Sequence, residues 1–202
     1  VSTATVSISN ASRLGGGDVY FRRLFYTDAC RRIDLVAGYQ FSRINQDLTF
    51  RSSRISVDSA GSIPVDTVVD VEDLFATKNE FHAGEIGLLA EYDRGFLTWS
   101  LLAKVGLGRM RQRVSIDGET SVTVPGQSAV VTDQGLLALD TNIGEYSQSV
   151  FAVSPEVALT AAYHLNHAVD LTVGYSFIYW NRVAQPSAQI DTALNTTQIA
   201  GT

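Results

Sequence analysis

The sequence predicts an all-β protein, an antiparallel up-and-down (meander) transmembrane β-barrel. Three observations predict it. Side chains alternate with period two over most of the chain, helix periodicity is nearly absent, and short connections alternate with long ones.

The clearest alternation runs from His82 to Tyr92. Ile86, Leu88, Ala90 and Tyr92 share one face, against Ala83, Glu85, Gly87 and Glu91. From Phe96 to Gly108, Leu97, Trp99, Leu101, Ala103, Val105 and Leu107 oppose Thr98, Ser100, Lys104, Gly106 and Gly108. The pattern returns at Val157, Leu159, Ala161, Tyr163 and Leu165 against Glu156, Thr160 and His164. It returns again at Leu171, Val173, Tyr175, Phe177 and Tyr179 against Asp170, Thr172, Gly174 and Ser176. An earlier strand sets Ile33, Leu35, Ala37, Tyr39 and Phe41 against Asp34, Gly38, Gln40 and Ser42. One face is apolar and rich in aromatics, the other small and polar, as expected of a narrow barrel with lipid outside. Leu88, Leu101, Val105, Leu159, Val173 and Phe177 are therefore expected to face lipid. Glu85, Lys104, Glu156, Asp170 and His164 are expected on the lumenal wall. A soluble half-buried sheet shares the same alternation, so a soluble or secreted β-protein that binds a ligand or partner is the alternative.

Charged residues make up 18% of the chain, below the roughly one quarter of a soluble domain. No apolar run approaches the ~18 residues a membrane helix requires, so contact with lipid would be made by strands. The net charge of −6, with no basic stripe interleaved with aromatics, argues against a nucleic-acid partner. A single cysteine, Cys30, excludes an internal disulfide and reads as structural. The chain reads as one domain over residues 1–202.

Short turns are predicted near 28–30, 93–95 and 166–168. Longer polar segments are predicted at 10–17, at about 53–79 and 117–147, and after 182. The 117–147 segment has a hairpin signal at Asp117-Gly118. Taking Arg94-Gly95 as a two-residue turn sets Glu85 opposite Lys104, Glu91 opposite Thr98 and Ala90 opposite Trp99. A three-residue turn at 166–168 sets His164 opposite Asp170.

Catalytic and cofactor signals are weak. Gly174-Tyr-Ser176-Phe-Ile178 lacks the last glycine of a nucleophile elbow and lies inside a strand. Gly106-Leu-Gly108 and Gly15-Gly-Gly17 lack the residues that complete a nucleotide-binding loop. His164 and His167 straddle a turn, and Asp140-Thr-Asn142-Ile-Gly144-Glu145 departs from calcium-loop spacing. Asp66, Asp70, Glu72 and Asp73 read as a solvated loop face. No enzyme activity, metal or cofactor is expected.

Several blocks then carry a family resemblance. They are Asp73-Leu-Phe75-Ala-Thr77-Lys-Asn79-Glu-Phe81 with Gly84 and Gly87, then Lys104-Val-Gly-Leu107-Gly108 and Val114-Ser-Ile116-Asp-Gly118. Gly135-Leu-Leu-Ala, Asn142-Ile-Gly144-Glu-Tyr146 and Phe151-Ala-Val-Ser-Pro155-Glu156 follow. The last is Gly174-Tyr175-Ser-Phe177-Ile-Tyr179-Trp180, with Gln189-Ile190-Asp191 and Asn195 after it. Over roughly residues 18 to 195 these resemble the β-barrel porin-7 family, outer-membrane proteins abundant in planctomycetes. The resemblance implies a barrel in the bacterial outer membrane, with the lipid bilayer as partner and no catalytic or cofactor residues to carry over. It is compatible with oligomers, with passage of small polar solutes, or with a structural role in the envelope. Similar proteins begin with an export signal and end in a further strand, so the chain is expected to be a fragment lacking both.

Overall fold

The computed structural model describes residues 2–59, 61, 63–166 and 168–190. One antiparallel sheet contains β1 Ser2–Thr27, β2 Arg31–Ser56, β3 Val68–Asp93, β4 Leu97–Thr123, β5 Val130–Thr132, β6 Gly144–Asn166 and β7 Val169–Ile178. The order is β1-β2-β3-β4-β6-β7, with short β5 beside β4. A single 3-10 turn, Pro186–Gln189, is the only helical element among the described residues. The meander predicted from the alternation is therefore the fold. Among the described residues β1 and β7 are edges, and the sheet stays open.

Its two faces differ in burial. Along β3 the buried side chains are Val71, Asp73, Phe75, Thr77, Asn79, Phe81, Ala83, Glu85 and Leu89, every one at an odd position. The even positions Ile86, Leu88 and Tyr92 are exposed. The buried face is concave. The Lys104 ammonium on β4 forms an ion pair with Asp18 on β1, across two intervening strands. In a flat sheet those strands would stand about 14 Å apart at ~4.8 Å per strand spacing. Gly87, directly opposite Lys104, makes room for this curl: a Cβ there would fall 2.5 Å from Lys104 Cβ.

The β3–β4 register corrects the expected one by two residues. Asp93 pairs with Thr98, so Gly87 faces Lys104, Glu85 faces Gly106, Glu91 faces Ser100 and Ala90 faces Leu101. The cause is the turn glycine. Gly95 has φ +71° and the Arg94 amide donates to the Leu97 carbonyl at 2.9 Å, which makes Gly95-Phe96 the two-residue loop. A glycine at the first central position is what a II′ hairpin requires. Because the slip is an even number of residues, no side chain changes face. The other short turns lie where expected. Asp28 caps the Cys30 and Arg31 amides at 2.9 and 2.8 Å, and Asn166 pairs with Val169.

The expected long loops are too long. Residues 10–17 lie inside β1, and only 57–67 of the 53–79 segment falls outside β2 and β3. β4 runs through Asp117-Gly118 to Thr123, and the hairpin within 117–147 pairs Thr120–Val122 with Val130–Thr132. These stretches read as loops because their outer face is polar and their inner face interrupts Val71 and Phe75 with Asp73, Thr77 and Asn79. Backbone pairing nevertheless continues without an unbroken apolar stripe to advertise it.

The observed register can be tested with cysteine pairs in a Cys30→Ser background. Ile86→Cys with Val105→Cys, directly opposite each other, should oxidise to a disulfide. Ile86→Cys with Ala103→Cys, the pairing of the sequence-based register, should not, and cross-linking of that second pair alone would restore it.

Candidate functional site: the concave wall and its inserted segments

Two layers of polar chemistry line the concave face. The first surrounds Lys104, whose side chain is only 2% exposed. Its ammonium contacts Asp18, lies 3.1 Å from Glu85 and 3.4 Å from Glu156, and stands 5.4 Å over the Tyr20 ring. The sequence-predicted pair Glu85–Lys104 thus exists, as a diagonal contact and not a direct cross-strand one. Glu156 is directly opposite Lys104 on β6. Asp18 is the member that sequence reasoning missed, since strand pairing cannot show contacts across a curled sheet. Nearby, Asp34 takes Arg22 at 2.5 Å and Arg32 at 3.1 Å. His164 and Asp170 face each other as expected, with Nδ1 2.8 Å from the carboxylate and Thr98 Oγ1 at 3.0 Å from Nε2. They lie at the turn end and are part-exposed; His167 is outside the described residues.

The second layer holds two chain segments against the wall. Asp73 is buried on β3 and accepts hydrogen bonds from the amides of Leu136, Leu137 and Ala138 at 3.3, 3.2 and 2.8 Å. This overturns the reading of Asp73 as part of a solvated loop face, because odd parity on β3 turns it inward. Burial pushes its carboxyl above the ordinary range, although the three amides oppose that shift. Asn142, in what is indeed a turn, pins the same segment by accepting from the Leu139 amide at 2.7 Å and donating to Leu137 O at 3.1 Å. Glycines permit the approach. A Cβ on Gly135 would fall 1.8 Å from Asp73 Oδ1, and one on Gly118 would fall 2.6 Å from the Gly135 amide.

The segment after β7 is held by the same logic. Asn79 donates to Ala184 O at 2.9 Å and accepts from the Ala184 amide at 2.8 Å, a two-way peptide clamp. Gln112 donates to the Arg182 carbonyl, and Asn181 accepts from the Val153 amide at 2.7 Å. Asn142 also reaches Gln189 O at 3.3 Å, joining the two segments. Beneath them Phe75, Val114, Ile116 and Ala138 form a buried cluster with Leu48, Leu137, Ile143, Ala184 and Ile190 around it. Phe81, Ala83, Met110 and Ala152 form a second cluster with Trp180 and Val183. Residues 134–143 and 180–190 therefore fill part of the concavity. Most of the family-like blocks converge here: Asp73 to Phe81, Val114 to Gly118, Gly135 to Ala138, Asn142 to Tyr146, and Gln189-Ile190.

On the opposite, convex face the expected lipid-facing residues all point outward. Leu88, Leu101 and Leu159 are 46%, 43% and 45% exposed, Val173 and Phe177 more so, and Val105 partly. Rows of apolar residues run from Phe41, His82 and Phe151 to Tyr92, Trp99 and Tyr163. Arg23 on the edge strand β1, Arg31 beside Tyr92, and Arg109 between His82 and Phe151 are the charged exceptions among the described residues of these rows.

A curled antiparallel meander with a polar, partly filled concavity and an apolar convex band defines a β-barrel class of protein. The comparisons narrow it. The family described as "Putative beta barrel porin-7" matches residues 1–202, and the chain belongs to that family. None of the curated proteins compared matches it.

Two outcomes are expected. Lys104→Gln leaves Asp18, Glu85 and Glu156 crowded without their cation and should destabilise the fold by about 3 kcal/mol. Glu85→Gln combined with Lys104→Gln should cost less than the two singles summed, read from urea unfolding in detergent. Equal costs would mean that the two side chains are uncoupled. The second concerns pH. A carboxyl whose value is raised by docking binds its proton more tightly when docked, so docking gains as pH falls through that raised value and loses as pH rises above it. The gain is complete below the ordinary value of about 4. Protection factors of the 136–138 amides should therefore increase from neutral to mildly acid pH. A decrease would identify the carboxylate as the docked form.

Proposed function

We propose that the protein is a non-catalytic wall of a bacterial outer-membrane barrel. It gives small polar solutes a porin-like path that the inserted segments narrow. The observation that carries this reading is the division of the convex face into two zones. On β3 the apolar rows extend from His82 to Tyr92, about 33 Å along the strand at ~3.3 Å per residue. Tilted by ~40°, they would stand about 25 Å tall, the height of a lipid-facing band. Tyr92, Trp99 and Tyr163 at one margin, and Tyr39 and Phe41 near the other, suit interfacial girdles. The short turns lie at the band's near end, which corresponds to the periplasmic side in such barrels. Beyond His82 the strands continue as far again with polar outer faces, projecting from the bilayer.

The interior suits cations. Asp18, Asp34, Glu85, Glu91 and Glu156 outnumber Arg22, Arg32 and Lys104 on the concave wall. Membrane fractionation with a heat-modifiability gel tests the location, and the protein should partition with outer membranes and shift on heating. Nitroxides at Leu88, Leu101, Leu159 and Val173 should collide with oxygen and be shielded from a water-soluble nickel chelate; the reverse would favour the soluble alternative. In planar bilayers a small, cation-preferring conductance is expected. Glu156→Gln should weaken the preference, and Gly135→Val, which clashes with Asp73, should enlarge the conductance. A barrel that inserts but never conducts would leave a structural role in the envelope.

A further inference from the structure

Charge on the convex face is sorted by height. In the last apolar row and directly beyond it, adjacent strands place Arg109 beside His82, Arg43 and Arg111 on either side of Glu80, and Arg113 beside Lys78. Arg13 on β1 continues the last row through Asn45. The rows farther out turn acidic, with Asp47, Asp117, Glu119 and Glu145. A chain of net charge −6 thus gathers six of its 15 Lys and Arg residues at one level of the convex face.

Glu80 is the only acid within these rows among the described residues, and it is already shared by Arg43 at 2.7 Å and Lys78 at 3.3 Å. Arg13, Arg109, Arg111 and Arg113 are exposed and make no ion pair among the described residues. Arg13, Lys78, Arg111 and Arg113 also line one open cleft, whose far side carries Asp47 and Glu145. Uncompensated like charges this close repel one another, and an anion from outside the protein would offset that cost. Guanidinium forks match phosphate oxygens bidentately, which a diffuse polyanion field alone would not require.

We propose that Arg13, Arg43, Lys78, Arg109, Arg111 and Arg113 form a belt that binds the phosphates of anionic lipid headgroups. The inference rests on the membrane reading, because it is the apolar band that sets this belt at headgroup depth. Nucleic acid fits less well, since a basic patch pressed against the bilayer margin leaves a long polymer little approach.

The test reconstitutes the full protein into phosphatidylcholine vesicles and adds trace spin-labelled phosphatidylglycerol or phosphatidylcholine. The motionally restricted fraction should favour phosphatidylglycerol by about fivefold, the effect of one cation near a charged surface. Joint replacement R109Q, R111Q and R113Q should bring the preference within about twofold of parity. R51Q, farther out and paired with Glu72, should leave it unchanged. If the triple variant loses its heat-modifiable band, R13Q with K78Q replaces it and should lower the preference. Restricted lipid with no headgroup preference, or a preference that survives both variants, overturns the belt and spares the membrane reading. Protein that fails to float with vesicles, so that no restricted lipid appears, overturns both.

Discussion

The backbone ladder joining β2, β3 and β4 is the constraint from which the other features follow. It pairs Arg31 with Tyr92 and continues to Ile55 with Val68, then Asp93 with Thr98 to Val68 with Thr123, with no bulge. A slip of one residue anywhere would exchange the faces, presenting Glu85, Lys104 and Asp73 outward and Leu88 and Leu101 inward. The Gly95-Phe96 turn at one end therefore determines which residues can meet the inserted segments at the other, from Asn79, 16 residues along β3, to Asp73, 22 residues along it. The ladder also meets the backbone's hydrogen-bonding demand internally, as a sheet face without water requires.

Within that frame wall and inserted segments depend on each other chemically. Asp73 and Asn79 are buried polar groups that would each cost about 1–3 kcal/mol if left unpaired. Their partners are main-chain amides and carbonyls of residues 136–138 and 184, groups equally in need of satisfaction once covered. The segments thus complete the wall as much as they obstruct the space beside it. The Lys104 cluster works differently. Its ion pairs join β1, β3, β4 and β6 side chains directly and hold the curl without any loop.

The fold was legible in the sequence where one face is apolar. Ile86, Leu88 and Ala90 against Glu85 and Gly87 define strand and facing together, and the Glu85–Lys104 association survived an error of two residues in register. Legibility failed in two places for two reasons. Beyond Phe41 and His82 the outer face is polar and the inner face mixes Asp73, Thr77 and Asn79 with Phe75 and Val114, so Thr49, Arg51 and Ser53 look like loop although they are paired throughout. The inserted segments were missed because the wall grips their peptide groups, and a peptide group is the same under every side chain. Hints did exist: Asp73 shares parity with Phe75 and Phe81, Asn79 sits between them, and Gly118 and Gly135 occur where a Cβ would collide.

Strand length has a consequence of its own. The four longest strands, β1 to β4, contain 26, 26, 26 and 27 residues, whereas ~10 suffice to cross a bilayer. On the membrane reading, the entrance is not at the cell surface but at the top of a collar about as tall as the bilayer is thick. A solute arriving from outside would leave bulk water well above the lipid and travel a walled vestibule before reaching Lys104. Large surface polymers, or molecules lying flat on the membrane, would pass beneath the rim without ever meeting the opening.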